Sequence, residues 1–126
     1  MLSNFPMSPV LPASDIARAR QFYEEVLGFQ PSEVLEEMGQ VTYQSGGGSF
    51  FVYATGSAGT NQATSAGWRV DDLDAEMSDL RSRGVVFEEF DLPGLKTVNG
   101  VVELPGGRAA WFKDTEGNIL ALDQLS

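Results

Sequence analysis

The chain has 126 residues, close to the usual size of one domain, and 42% of them are hydrophobic, which is enough for a core. It contains neither cysteine nor histidine. These absences exclude disulfides, thiolate chemistry and cysteine metal sites, and they remove the commonest general base and transition-metal ligand. With 8 basic and 18 acidic side chains the formal charge is −10, which disfavours nucleic acid and anionic membranes as partners.

The acidic surface has two interpretations. It favours a cationic ligand, or it serves only to keep the protein in solution, which is the commoner role. The first six residues do not resemble a secretory signal, because they have no basic stretch followed by an apolar run. No apolar run approaches the roughly 20 residues of a membrane span. We therefore expect a cytoplasmic protein.

The first half of the chain predicts a strand, a helix and three further strands. Residues 7–13 predict a short strand whose prolines favour a sheet edge or a strand end. Asp15 is a candidate N-cap, and apolar side chains at helical spacing predict a helix from about Asp15 to Leu27, ended by Gly28. The three strands that follow are expected at residues 29–35, 41–44 and 50–53. Residues 54–64 are small and polar, which is typical of a linker.

The second half repeats this order. A strand is expected at residues 65–70, followed by a helix capped by Asp72 and ended by Gly84. Further strands begin at residues 85–87 and 100–104, and residues 91–94 form a turn between them. The apolar runs 109–112 and 119–122 flank the turn-forming residues 113–118, so they predict a final β-hairpin.

The spacing of the two halves indicates an internal duplication. Asp72 follows Asp15 by 57 positions, and Gly84 follows Gly28 by 56. Residues 48–53 also align with residues 117–122. A unit of this length that occurs only twice indicates a duplicated half-domain rather than a solenoid.

Several motifs run through nearly the whole chain in a characteristic order. They are ASDI at 13–16 with FY at 22–23 and VLGF at 26–29, then VDDLD at 70–74, and FKDTEGNI at 112–119. Together they resemble the vicinal oxygen chelate superfamily, which includes glyoxalase I, bleomycin-resistance proteins, extradiol dioxygenases and methylmalonyl-CoA epimerase.

The resemblance implies an α+β fold in which two βαβββ modules form a curved mixed sheet around a cavity, with helices on the convex side. It also implies a homodimer. The whole chain then forms a single glyoxalase/bleomycin-resistance-like domain, with module 1 at about residues 5–54, a linker at 55–64 and module 2 at about 65–124.

In metal-dependent members of this superfamily the cavity holds a divalent metal on histidine and glutamate side chains. The resemblance carries those ligand positions over to Ser8, Ser65, Ala121 and a position near Val52. Neither hydroxyls nor aliphatic groups supply the imidazole and carboxylate donors that a catalytic divalent metal needs. We therefore expect no metal and no other cofactor.

Strand alternation predicts which side chains line the cavity, because successive residues face opposite sides of a sheet. If Ser8 and Ser65 face inward, then Val10, Gly67 and Arg69 do so as well, while the side chains expected to face the helices are Leu11, Trp68 and Val70. By the same logic the inward residues of the later strands are Phe50, Val52, Ile119 and Ala121. The outward ones, which pack as core, are Phe51, Tyr53, Leu120 and Leu122.

The facing of Tyr43, Glu103 and Trp111 stays open. Trp111 either lines a ligand site or fills a core, and Arg69 either anchors a ligand or pairs with an acid such as Glu103. The predicted ligand-binding residues are Ser8, Val10, Tyr43, Phe50, Val52, Arg69, Glu103, Trp111 and Ala121.

Three functions are compatible with the sequence. The favoured one is a metal-free protein that sequesters a small aromatic or cationic compound, as the resemblance to bleomycin-resistance proteins implies. The alternative is a glyoxalase-like lyase or isomerase in which Glu103 or another acid acts as base, which requires a raised pKa. In the third, the cavity has closed and the domain is only a partner in an assembly. No catalytic residue is assigned.

Overall fold

The computed structural model describes residues 1–126. The chain divides into two units, which we call module 1 (Met1–Thr60 with Thr115–Asn118) and module 2 (Asn61–Asp114 with Ile119–Ser126). Neither helix has the length and apolar character needed to cross a lipid bilayer.

Module 1 contains one helix and a four-stranded sheet. Its elements are β1 (Val10–Ala13), α1 (Ile16–Gln21), β2 (Pro31–Leu35), β3 (Gln40–Ser45) and β4 (Gly48–Ala54), and short 3₁₀ turns occupy Leu2–Asn4 and Glu36–Met38. The strand order is β1-β4-β3-β2. β1 runs parallel to β4, while the β3–β4 and β2–β3 pairs are antiparallel.

The first predicted helix is confirmed. The Asp15 carboxylate accepts a hydrogen bond from the Arg18 backbone N–H at 3.1 Å, which is the expected N-cap contact. After α1 the helix continues as a wider π-type turn over Phe22–Val26. Gly28, at φ 82°, then ends it in a conformation that favours glycine.

An aromatic cluster fills the core of module 1. The Tyr23 ring on the helical segment lies 5.8 Å from the Tyr43 ring and 5.6 Å from the Phe50 ring, centroid to centroid. The side chains of Tyr23 and Tyr43 are fully buried, as is Val52. The helix therefore covers the sheet face that carries Tyr43, Phe50 and Val52.

The predicted facing of β4 is wrong. β1 pairs with β4 so that Leu11 lies beside Val52 and Val10 beside Phe51. Val52 and Phe50 therefore share the core face with Leu11, whereas Phe51 lies on the face of Val10. The repeat alignment behind the prediction was displaced by one residue, and such a displacement moves every side chain of a strand to the other face.

The turn Thr115–Asn118 belongs to module 1. The side chain of Glu116 is fully buried, and it accepts hydrogen bonds from Arg18 Nε at 2.8 Å and from the Asp15 backbone N–H at 2.9 Å. Asn118 donates from Nδ2 to the carbonyl oxygen of Pro12 at 2.9 Å. These bonds attach the turn to the start of α1.

Module 2 repeats the arrangement. Its elements are β5 (Thr64–Arg69), α2 (Leu73–Ser82), β6 (Asp91–Leu92), β7 (Leu95–Lys96), β8 (Val102–Leu104), β9 (Gly107–Lys113) and β10 (Ile119–Leu125). The order β5-β10-β9-β8 matches that of module 1, and β5 and β10 are parallel. The strands β6 and β7 form a separate two-stranded hairpin.

Most of the elements predicted for module 2 are confirmed. Asp72 caps α2 by accepting from the Ala75 backbone N–H at 3.0 Å. The final hairpin pairs β9 with β10, and the turn expected at residues 91–94 lies within the β6–β7 hairpin. The strand expected at residues 85–87 is absent, because only Phe87 forms a bridge there, with Phe112.

The core of module 2 lies between α2 and one face of its sheet. Trp68 stacks on Phe112 with ring centroids 6.3 Å apart, and the buried side chains on this side include Leu73, Met77, Leu120 and Leu122. The predicted core positions of Leu120 and Leu122 are thereby confirmed, whereas Trp68 lies on the core face as predicted but is only half-buried. The predicted α+β class with two βαβββ modules is confirmed as well.

Candidate functional site

The sheet face of module 2 that lies opposite its core presents small, aromatic and charged residues together. Across the strands, Trp111 pairs with Ala121, which pairs with Gly67, and the neighbouring row places Asp123 beside Arg69. Gly67 and Arg69 are exposed, and the other three are half-buried. This face is therefore accessible from solvent.

Trp111 is held in a defined orientation on this face. Its indole Nε1–H donates to Thr64 Oγ1 at 3.1 Å, and the Phe90 ring meets it edge to face with centroids 5.7 Å apart. An indole held in this way offers a large apolar surface while its polar N–H is already satisfied. Trp111 is thus half-buried rather than part of the core, and its place in a ligand site stays a prediction.

Arg69 forms an ion pair with an acid, which is one of the two alternatives predicted for it, and the acid is Asp123. Its Nη2 lies 2.9 Å from Asp123 Oδ2, and its Nε is 3.1 Å from the same oxygen. Asp123 is its direct neighbour across the β5–β10 pair. Glu103, which was given as an example of such an acid, is not the partner, because it lies on the opposite face of the sheet.

Glu103 faces α2 rather than Trp111. It pairs in register with Arg108, whose Nε lies 3.1 Å from Glu103 Oε1 and whose Nη2 lies 3.0 Å from Asp74 Oδ1 on the helix. The hydrogen bond and charge of Arg108 hold the pKa of Asp74 below its usual value. The structure therefore does not bring Glu103 together with Trp111, Arg69 and Ala121.

In module 1 the corresponding face carries two of the predicted site residues. Val10, about half exposed, lies beside Phe51, and Ser8 Oγ lies 3.5 Å from Ser49 Oγ. Tyr53 is on the same face, two residues beyond Phe51.

The other three residues predicted for the site in module 1 lie in its core. Tyr43, Phe50 and Val52 are 0%, 6% and 1% exposed. The Tyr43 hydroxyl donates to Glu24 Oε2 at 2.9 Å, and burial, together with this carboxylate, raises the pKa of the phenol. These contacts give Tyr43, Phe50 and Val52 a structural role beneath the helix.

The positions that bind metal in the metal-dependent members carry no suitable donors. Val52 pairs with Leu11 and Leu122 with Trp68, so the module 1 counterpart of Ala121 is Phe51 rather than Val52. No group of three carboxylates converges with the geometry of a metal site. The residues present therefore do not fit a catalytic divalent metal, which needs several convergent donors.

Sequence reasoning missed several residues of these two faces: Phe51, Tyr53, Thr64, Phe90 and Asp123. Alternation along β10 was a usable signal for Asp123, because it lies two residues beyond Ala121. Thr64 and Phe90 had no such signal, since their contacts with Trp111 connect segments distant in sequence.

Two four-stranded βαβββ modules with the same strand order define a two-module α+β protein whose solvent-accessible sheet faces carry the candidate site. Residues 8–122 match the Glyoxalase/Bleomycin resistance protein/Dioxygenase superfamily, and the chain belongs to this family. The resemblance inferred from the sequence is thereby confirmed.

Solved structures with this fold include proteins of different activities. TnmS3, an antibiotic-binding protein from Streptomyces sp. CB03234, is 25% identical with a TM-score of 0.74, over 97% of this chain and 98% of that one. The bleomycin-binding protein from bleomycin-producing Streptomyces verticillus, solved with copper(II)-bleomycin, is 20% identical with a TM-score of 0.68, over 94% and 93% of the two chains.

A lactoylglutathione lyase from Agrobacterium tumefaciens is 16% identical with a TM-score of 0.71, over 95% of this chain and 92% of that one. At the identities of the S. verticillus and A. tumefaciens proteins, the likeness establishes the fold alone. No protein with a curated description matches the chain significantly.

Proposed function

We propose that this chain is a metal-free binding protein of the glyoxalase/bleomycin-resistance type that sequesters a small aromatic or cationic compound. The observation that carries the proposal is the arrangement around Trp111, which lies half-buried beside Ala121 and, one strand further, Gly67. A flat ring can lie against an indole where the neighbouring positions carry no bulky side chain.

The charge of the protein supports a cationic ligand. The formal charge is −10, so long-range attraction raises the local concentration of cations around the protein. An indole face adds a short-range attraction for a cation placed over it. On the same face Asp123 is already paired with Arg69 at 2.9 Å, so the attraction for a cation comes from the overall charge and from the indole.

The likeness to TnmS3 and to the S. verticillus protein supports the binding of a drug-like molecule. The first is an antibiotic-binding protein, and the second was solved with copper(II)-bleomycin. Both share the two-module fold with this chain. We propose that this chain uses the fold in the same way, to bind a small molecule.

The lyase or isomerase hypothesis takes Glu103 or another acid as its base, and Glu103 is poorly placed for that role. Glu103 lies on the helix side of the sheet and is engaged by Arg108 at 3.1 Å. It is therefore not placed to take a proton from a molecule bound against Trp111. No other observation favours catalysis over binding.

The binding proposal is tested by thermal-shift and calorimetric titration with metal-free bleomycin and with a planar aromatic cation such as ethidium, in EDTA. We expect stabilisation of the native protein by at least one probe. Trp111→Ala weakens this binding about tenfold, because an aromatic contact is worth about 0.5–1.5 kcal/mol beyond its buried area.

Phe5→Ala is the matched control, because Phe5 is an exposed aromatic residue outside the sheet. It should bind each probe as the native protein does. Equal affinity of the native protein and Trp111→Ala, or binding that disappears in EDTA, contradicts the proposal.

A further inference from the structure

Module 2 contains a cavity on the helix side of its sheet, away from Trp111. It has a volume of about 400 Å³, within the range of about 300–1,000 Å³ typical of small-molecule sites. The cavity lies between α2, the loop 97–101 and the β8–β9 pair. Its lining includes Met77, Arg81, Lys96, Val98, Glu103 and Arg108.

The cations of this cavity are unusual within the chain. Six of the eight basic side chains form ion pairs with carboxylates. The two that do not, Arg81 and Lys96, both line this one cavity. Asp91 is the cross-strand neighbour of Lys96, but it forms no ion pair with Lys96 and does not line the cavity, so the two cations leave a local excess of positive charge there.

The two carboxylates of the cavity do not cancel that excess. Asp74 and Glu103 are both engaged by Arg108, at 3.0 Å and 3.1 Å. Three cations and two carboxylates therefore line the cavity, with a formal charge of +1 in a chain of −10. The charges left for a ligand are the positive ones of Arg81 and Lys96.

Arg81 is already fixed in position. Its Nη2 donates to the carbonyl oxygen of Asn99 at 2.7 Å, and its guanidinium carbon lies 5.2 Å from the centre of the Phe87 ring. A guanidinium has five N–H donors, and this bond uses one of them. The remaining donors are held in a defined place, so an anion that meets them does not have to immobilise a flexible chain.

We propose that this cavity binds a small organic anion whose carboxylate or phosphate group is held by Arg81 and Lys96. The apolar part of the ligand lies against Met77 and Val98, which also line the cavity. This site differs from the proposed Trp111 site in location and in the charge of its ligand. The two can therefore fail independently.

The direct test uses the lysines, of which the chain has only two, Lys96 and Lys113. Reductive ¹³C-methylation gives one NMR signal for each lysine side chain. The variants Lys96→Arg and Lys113→Arg identify which signal belongs to which lysine. On titration with inorganic phosphate, and separately with acetate, we expect the Lys96 signal to shift and saturate. Sodium chloride at matched ionic strength reports the effect of screening alone.

Lys113 is the matched control, because it is exposed and lies 3.7 Å from Glu88 outside this cavity. Its signal should not saturate. By calorimetry, Lys96→Gln should weaken anion binding about tenfold, as expected for the loss of a charge-assisted hydrogen bond, while Lys113→Gln leaves it unchanged.

Equal, linear shifts of both lysine signals would overturn the proposal, because they indicate screening only. Unchanged affinity in Lys96→Gln would overturn it as well. Trp111→Ala should retain the phosphate and acetate response, which separates failure at this cavity from failure at the proposed Trp111 site.

Discussion

Glu116→Gln removes a buried charge while it keeps the shape of the side chain. The Glu116 side chain is fully buried, and Arg18 Nε lies 2.8 Å from its Oε2. The Asp15 backbone N–H and the Thr115 hydroxyl, each at 2.9 Å, also donate to its carboxylate. The substitution leaves Arg18 without its charged partner in module 1.

The pKa of Glu116 determines how much stability the Glu116→Gln substitution removes. Burial alone raises this pKa, but the bonds from Arg18, the Asp15 backbone and Thr115 outweigh burial and lower it from 4.5 to about 2. A pKa shift of one unit is worth about 1.4 kcal/mol. The lowered pKa of Glu116 therefore stabilises the folded protein by about 3 kcal/mol at neutral pH. Half of the Arg18 side chain is exposed. Solvent screening therefore reduces the expected value to about 2 kcal/mol.

The direction in which stability depends on pH follows from the lowered pKa of Glu116. The folded state favours the charged carboxylate, so the stabilisation is complete above pH 4.5 and is lost as the pH falls towards 2. Urea denaturation of the native protein and of Glu116→Gln, at intervals from pH 7 to pH 3, measures the free energy of unfolding of both proteins. We expect a difference of about 2 kcal/mol at pH 7 that shrinks steadily below pH 4.5.

Glu37→Gln is the control, because Glu37 is exposed and has no ion pair. It should unfold like the native protein at every pH. A Glu116→Gln difference that is the same at pH 7 and pH 3, or no difference at pH 7, would refute the reasoning.

Three further predictions concern packing and assembly. Tyr43→Phe removes the hydroxyl that donates to Glu24 at 2.9 Å, so thermal melting should show a loss of about 1 kcal/mol. Gly107→Ala directs a methyl group into the backbone carbonyl oxygen of Gln124 and should cost more than about 2 kcal/mol in urea, whereas Gly47→Ala, with open space around it, should be close to neutral. For the homodimer that the family resemblance implies, sedimentation equilibrium should give twice the 13.6 kDa chain mass, and 13.6 kDa would contradict it.

Local signals made the helices predictable. Asp15 and Asp72 were identified as caps, and each accepts a bond from the backbone N–H three residues further on. Gly28 and Gly84 adopt the positive φ that their position after a helix suggested. These features depend on a few consecutive residues, so the sequence alone contains them.

The faces of β4 were not predictable in the same way. They depend on how β1 pairs with β4, and an error of one residue in the repeat alignment exchanged Val52 with Phe51. The ion pairs of Arg69 and Glu103 depend on strand register as well, and Glu103 was only an example of the acid expected beside Arg69. Their actual partners, Asp123 and Arg108, follow from strand register, which the sequence does not show.

We expect the ligand to bind against Trp111 without a metal. The chain has two tryptophans, so ¹⁵N labelling gives two indole N–H signals, assigned with Trp111→Phe. Titration with metal-free bleomycin or ethidium in EDTA should shift the Trp111 signal to saturation. Trp68 should shift little, because it lies half-buried on the opposite face of the sheet, stacked on the core residue Phe112. A Trp111 signal that stays unchanged, or that moves only after a divalent metal is added, would contradict the account.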